Sequence, residues 1–210
     1  MKYNFIAIEG NIGSGKTTLA GKIACELNSK LILEQFADNP FLSIFYRDGQ
    51  KHAFPLELSF LAERYQQLKL EWNEADLENK TIVSDYHFYK SLIFAKVNLK
   101  EEEFNLYSRL FNIVMDSSPK PDLLVYLHLD ISRLQKNILK RGRSYELNIS
   151  NEYLVNIQLS YLEYLKQQKD LRILLLDINN IDFVNNPADC SKLMNVINGD
   201  YTIGINRIAL

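Results

Sequence analysis

The stretch Gly10-Asn11-Ile12-Gly13-Ser14-Gly15-Lys16-Thr17 reads G-x-x-x-x-G-K-[ST], a phosphate-wrapping loop that works only between a strand and a helix. Both neighbours fit. Tyr3-Asn4-Phe5-Ile6-Ala7-Ile8-Glu9 is an apolar, strand-like run, and residues 18–27 put Leu19, Ile23 and Leu27 on one helical face. Glycines let successive N–H groups turn toward phosphate oxygens, and the helix start adds partial positive charge. Average residue usage would yield such a match by chance in about 1% of chains this long. The expected ligand is a nucleoside triphosphate held by Gly10, Asn11, Ile12, Gly13, Ser14, Gly15, Lys16, Thr17 and Thr18. Lys16 is expected to reach the outer phosphates, and the Thr17 hydroxyl to hold Mg²⁺.

Two further apolar runs end in carboxylates: Lys30-Leu31-Ile32-Leu33-Glu34 and Lys80-Thr81-Ile82-Val83-Ser84-Asp85. In an open parallel sheet the strand C-termini converge on the ligand crevice, which places Glu34 and Asp85 beside the phosphates. One of them can take a hydroxyl proton while the other holds the metal or its water, although Asp85 also reads as a helix N-cap. Between them, Asp38-Asn39-Pro40 signals a turn into a helix carrying Phe41, Ile44, Phe45 and Tyr46. A long helical pattern then runs from Phe54 to about Glu78, with Leu58, Leu61, Tyr65, Leu68 and Trp72 in a core-facing stripe. Glu57, Arg64 and Glu71 are seven apart on one line of that helix, a spacing that reads first as a solvated charged face.

Helical patterns follow at about 88–97 and 101–117, equally consistent with a subunit interface and with core burial. Pro119-Lys120-Pro121-Asp122 breaks the chain before Leu123-Leu124-Val125-Tyr126-Leu127-His128-Leu129, a buried parallel strand in which His128 reads as a satisfied core residue. A helix from Ile131 leads into Lys140-Arg141-Gly142-Arg143-Ser144-Tyr145-Glu146. Such a cluster is a basic helix end capped by Gly142 or, beside a triphosphate site, a lid whose arginines stabilise transferring charge; with the phosphate loop present, the lid is preferred. A helix near 152–168 and a strand at 171–177 follow, after which residues 177–182 are expected along the nucleotide base. Past 186 a short helix and a tail of unassigned role remain. Five apolar strands alternating with helices give a three-layer α/β fold, a parallel sheet with helices on both faces, in one domain of 210 residues.

The formal net charge of −2 opposes general attraction to polymeric nucleic acid or to a membrane. Cys25 and Cys190 make no disulfide framework, and the first strand starts too early for a signal peptide, so a reducing cytoplasm is expected.

The order and spacing of these features resemble the deoxynucleoside kinase family (deoxycytidine, deoxyguanosine and deoxyadenosine kinases) over about residues 3–183. The shared features are the loop at 10–17, Glu34 with Asp38-Asn39-Pro40-Phe41-Leu42, Phe45-Tyr46, Leu61 with Arg64, Ile93-Phe94-Ala95, Pro121-Asp122, and Arg141-Gly142-Arg143 with Glu146. The resemblance implies a P-loop kinase-like fold and ATP- and Mg²⁺-dependent phosphorylation of a deoxynucleoside 5′-hydroxyl. It implies Glu34 as general base, Tyr46 and Glu146 on the sugar 3′-hydroxyl, Arg64 near the base, and Arg141 and Arg143 on the phosphates. It also implies a homodimer, with residues 88–117 as the expected interface.

The sequence departs from that family at several points. Asp85-Tyr86-His87 stands where Asp-Arg-Ser or Glu-Arg-Ser is usual, an aspartate is missing around Lys90-Ser91, and Asn137 stands at the first lid arginine. Glu57 replaces the usual base-pairing glutamine; an ionised carboxylate only accepts hydrogen bonds, which favours an exocyclic amine and hence deoxyadenosine, with deoxycytidine also offering one. A nucleoside monophosphate kinase, such as one for thymidylate, lacks its acceptor-phosphate arginine here. A nucleotide-binding module without turnover would explain Tyr86 but not the retention of Lys16, Glu34, Arg143 and Glu146.

Overall fold

Strand β1 (Phe5–Gly10) is buried at every position because it runs through the middle of the sheet. It pairs in parallel with β3 (Ile82–Ser84) on one side and β4 (Leu123–His128) on the other. Outside these lie β2 (Lys30–Ile32), β5 (Arg172–Asp177) and β6 (Gly204–Ala209), giving the order β2-β3-β1-β4-β5-β6, parallel throughout. The computed structural model describes residues 2–35, 39–77, 81–115 and 119–210; Asp38, Glu78, Lys80 and the end of the 101–117 pattern lie outside them.

Alternation along the strands supplies two apolar faces. Ile6, Ile8, Val125, Leu127, Leu174 and Leu176 meet Leu19 and Ile23 of α1 (Lys16–Leu27), Leu134 and Ile138 of α6 (Ile131–Arg141), and Leu193 and Ile197 of α8 (Pro187–Ile197). On the opposite face Phe5, Ala7 and Ile82 meet Leu61 of α3 (Ala53–Leu77) and Tyr107 and Phe111 of α5 (Glu101–Met115). Leu124, Tyr126, Ile173 and Leu175 complete that face against Ile93 of α4 (Lys90–Asn98) and Ile157, Tyr161 and Leu165 of α7 (Asn151–Gln167). The remaining helix, α2 (Pro40–Asp48), starts at the proline expected to open it.

Two expectations are corrected. Six strands are present among the described residues, not five, because the tail past 186 forms α8 and then β6. Gly204-Ile205-Asn206-Arg207-Ile208 is only half-buried and lacks a continuous apolar run; it becomes a strand by pairing Arg172–Asp177 of β5 residue for residue. His128 is not a satisfied core residue either: it ends β4 half-buried, and its Nδ1 has no hydrogen-bond partner.

The sheet register brings the two strand-end carboxylates together. Lys30 pairs with Ile82 and Ile32 with Ser84, and the Asp85 N–H donates to the Ile32 carbonyl at 3.1 Å. Glu34 therefore emerges beside Asp85. No helix among the described residues is long and apolar enough to cross a membrane.

Candidate active site

The phosphate loop adopts the backbone its glycines allow. Gly13 (φ 81°) and Gly15 (φ 90°) are left-handed, and a Cβ on either would come within 2.9 Å of the Leu134 carbonyl or the Phe183 ring. The Asn11 side chain is an anchor, not a ligand group: its amide donates to the Leu154 carbonyl at 2.8 Å and its Oδ1 accepts from Ile12 N–H. The Ser14 hydroxyl is buried without a partner. Lys16 folds back onto the loop, its Nζ donating to the Gly10 and Asn11 carbonyls at 2.9 Å each. Burial, and then repulsion from Lys90, push the Lys16 ammonium below its usual pKa. Asn137, in place of a lid arginine, donates to the Gly13 carbonyl at 2.8 Å and so braces the loop.

Thr17, at the start of α1, and Asp85, just past β3, meet directly. The Thr17 hydroxyl donates to Asp85 Oδ2 at 2.5 Å, and Asp85 Oδ1 accepts the Glu34 N–H at 2.7 Å. Asp85 is therefore no N-cap: α4 begins at Lys90, preceded by Tyr89. Oxygen donors of this kind suit Mg²⁺, which draws its other ligands from phosphate and water. Accordingly, no cluster of three His, Cys, Asp or Glu able to hold a metal occurs among the described residues.

Glu34 lies in a cage of cations. Arg64 donates to Oε1 through Nε (3.0 Å) and Nη2 (2.6 Å), and Lys90 donates to Oε2 at 2.5 Å. Burial alone would raise this carboxyl, but Lys90 and Arg64 together outweigh it and hold it at about 2. The third Arg64 nitrogen, Nη1, donates to Ser91 Oγ at 2.7 Å, and the guanidinium lies 4.8 Å from the centre of the Phe60 ring. Arg64 is thus bound to the carboxylate beside it, and the solvated-face reading of its helix fails. Arg64 and Glu57 are 4% and 1% exposed, and of the three only Glu71 is not buried: it is half-buried and paired with Lys30 at 2.7 Å.

Glu57 closes the far end of the same cavity. Its Oε1 accepts from Asn98 Nδ2 at 2.6 Å, whereas its Oε2 is buried with no partner. Burial pushes this carboxyl up to about 7, against the lowering effect of the Asn98 hydrogen bond. Phe45, Tyr46, Phe60, Phe94 and Tyr153 supply aromatic walls suited to a flat base. Tyr46 stacks on Tyr145 with centroids 5.9 Å apart. Next to it Glu146 accepts hydrogen bonds from both Arg141 and Arg143, the latter at 3.3 Å, so the expected lid arginines are tied to the expected sugar carboxylate. Gly142 (φ 70°) caps α6 between them, so the basic cluster is a capped helix end as well as an arginine pair over the cavity.

A second cavity, over the phosphate loop, is walled by Ile178 and Ile181 of the segment expected along the nucleotide base, and by Phe183 just beyond it. Lys16, Thr17, Arg141 and Arg143 line both cavities, so the two join at the end of the phosphate loop. The structure thus assembles Lys16, Thr17, Glu34, Tyr46, Glu57, Arg64, Asp85, Arg141, Arg143 and Glu146 around one cleft. Tyr86 and His87 do not line it. Tyr86 is fully buried and its hydroxyl donates to Gln67 Oε1, while the His87 ring lies 3.4 Å from the Pro119 carbonyl.

Sequence reasoning missed Lys90, Asn98 and Tyr153. A lysine and an asparagine flanking the apolar run Leu92-Ile93-Phe94-Ala95 were the available signal, since a polar group buried there needs a partner.

A model of the deoxynucleoside kinase family matches residues 6–200. The deoxyguanosine kinase of Bacillus subtilis (strain 168) is 35% identical over 193 residues, covering 90% of this chain and 93% of that protein. The deoxyadenosine kinase of Dictyostelium discoideum is 33% identical over 198 residues, covering 93% and 78%. A solved structure of deoxyadenosine kinase from M. mycoides with bound dCTP aligns at a TM-score of 0.79 and 28% identity, covering 92% of this chain and 98% of that one.

Proposed function

The chain belongs to the deoxynucleoside kinase family, ATP-dependent phosphotransferases, and from that we propose that it phosphorylates the 5′-hydroxyl of deoxyadenosine in preference to other deoxynucleosides. The observation carrying the chemistry is the junction of the two cavities at Lys16, Thr17, Arg141 and Arg143, which supports a donor and an acceptor meeting there. Glu34 takes the hydroxyl proton as the 5′-oxygen attacks the γ-phosphorus in line, and the bond to the β,γ-bridging oxygen breaks to release ADP. Lys16, Arg141 and Arg143 carry the charge that develops on the transferring group. Mg²⁺, held through Thr17 and Asp85, supplies neutralisation of the phosphate oxygens when bound.

Tyr46 and Glu146 hold the sugar 3′-hydroxyl, and Glu57 reads the base. Because Asn98 already donates to Oε1, Oε2 is the Glu57 oxygen left without a partner, and in the ionised form it only accepts. That matches the single amine of adenine, or of cytosine, better than the two adjacent donors of guanine. The product is a deoxynucleoside monophosphate, made in cytoplasmic salvage by a homodimer joined through helices around 88–117. Leu106 and Ile113, the latter 75% exposed, give α5 apolar surface for that contact.

The test is ATP-dependent phosphorylation of the four deoxynucleosides, the ribonucleosides and the monophosphates. Deoxyadenosine is expected to show the highest kcat/KM. Deoxyguanosine ranking first would overturn the base assignment, and phosphorylation of monophosphates alone would overturn the acceptor assignment.

A further inference from the structure

The cage around Glu34 contains a charge that the fold had to bring in from elsewhere. Lys90 is the first residue of α4 and only 7% exposed, and its ammonium donates to Glu34 Oε2 at 2.5 Å. Its Nζ also lies 5.4 Å from the centre of the Phe94 ring, which limits where the side chain can swing. Lys90 lines the acceptor cavity, and its charge is felt by Lys16. Arg64 grips Oε1 from the other side with two N–H groups, which leaves the carboxylate one free lone pair, on Oε2, and its plane fixed between two helices.

We propose that Lys90 is a positioning residue for phosphoryl transfer: its ammonium holds Oε2 of Glu34 so that the carboxylate faces the acceptor hydroxyl. This rests on reading Glu34 as the proton acceptor. Lys90 takes no part in the proton transfer itself. The hydroxyl proton passes to Glu34, the oxygen's electron pair forms the new bond to the γ-phosphorus, and the leaving pair departs on ADP. The titratable groups that interact electrostatically with Glu34 are Lys16, Glu57, Glu63, Arg64, Tyr86, Lys90 and Tyr161, and Asp85 accepts the Glu34 N–H. Of these, Lys90 is bonded to Oε2 and Arg64 to Oε1. An ordinary structural lysine would not place its charge on this atom.

The experiment compares Lys90→Gln, Lys90→Met and Lys90→Arg with the wild type in kcat and in KM for the deoxynucleoside, with ATP affinity as the check on folding. Lys90→Gln retains a hydrogen-bond donor without the charge and serves if the methionine variant does not fold. Expected for both uncharged variants is a loss in kcat of about tenfold or more, with KM and ATP affinity each within about threefold. Lys90→Arg should restore most of the wild-type kcat. An unchanged kcat in the uncharged variants would overturn the proposal, and so would a loss in Lys90→Arg equal to that in Lys90→Met. Glu34→Gln, run in parallel, separates the two readings: if it retains full kcat, the assignment of Glu34 falls and this role with it. If Glu34→Gln is inactive while Lys90→Gln is normal, the Lys90 role falls alone.

Discussion

The amide of Asn98 donates to one oxygen of the Glu57 carboxylate at 2.6 Å, and the other oxygen of that carboxylate, buried in the cavity, has no partner. Asn98 ends α4 and Glu57 sits in the first turns of α3, so helix packing leaves one oxygen of Glu57 without a partner in the cavity wall. Replacing it by an amide adds a donor. Glu57→Gln is expected to change the order of kcat/KM among the four deoxynucleosides, and an unchanged order would remove Glu57 from base selection.

The same carboxyl makes stability depend on pH. Its folded pKa of about 7 exceeds the ordinary 4.5, so the folded state takes up a proton between those values that the unfolded chain does not. Its cost is therefore present in full above pH 7 and disappears as pH falls toward 4.5. Glu57→Gln should stabilise the protein at pH 8, by at most about 3 kcal/mol, and the advantage should vanish by about pH 5. Thermal unfolding of the two proteins across that range measures it.

Glu34→Gln should lower kcat by about 10²- to 10⁴-fold while leaving ATP affinity nearly unchanged, as measured by steady-state kinetics and calorimetry. It also strips a partner from two buried cations, Arg64 and Lys90, which costs on the order of 3–5 kcal/mol. The sign for acid follows from the depressed pKa: the stability Glu34 contributes is present above about pH 4.5 and is lost as pH falls toward 2.

If Tyr46 and Glu146 hold the sugar 3′-hydroxyl, the hydroxyl of Tyr46 matters only for substrates that carry one. Tyr46→Phe should reduce kcat/KM for deoxyadenosine by about 3- to 10-fold, with little change for its 2′,3′-dideoxy analogue. An equal loss for both substrates would place Tyr46 in packing alone, through its stack on Tyr145.

Removing divalent cations with a chelator should abolish turnover, and Mg²⁺ should restore it. Thr17→Ala, which deletes the hydroxyl bonded to Asp85, should raise the Mg²⁺ concentration for half-maximal rate about tenfold or more. An unchanged Mg²⁺ requirement would remove Thr17 from the metal site.

Deleting residues 200–210 removes β6 and leaves β5 as an unpaired edge. Loss of the ladder and its packing should cost about 3 kcal/mol, lowering Tm by about 6–12 °C and promoting aggregation visible by light scattering.

The phosphate loop was legible because everything it needs is contiguous: a strand, glycines at the two positions whose backbone turns left-handed, and a lysine opening a helix. Glu34 and Asp85 were legible for a related reason, since the ends of neighbouring parallel strands must converge whatever the rest of the chain does. Local pattern could not say which way a charge on α3 faces. Glu57, Arg64 and Glu71 share one spacing, yet packing against α4 and α5 buries the first two and leaves the third half-buried. Nor could it pair Lys90 with Glu34, 56 residues away, or Asn98 with Glu57, 41 away, because such contacts exist only once α3 and α4 have docked on the sheet. The sixth strand follows the same rule: Gly204–Ala209 has no strand pattern of its own and takes its conformation from the open edge of β5. Sequence alone determined the phosphate loop, the alternating α/β order and the two strand-end acids. The tertiary structure alone decided which charges are buried, what each is paired with, and so which oxygen of Glu57 is left without a partner.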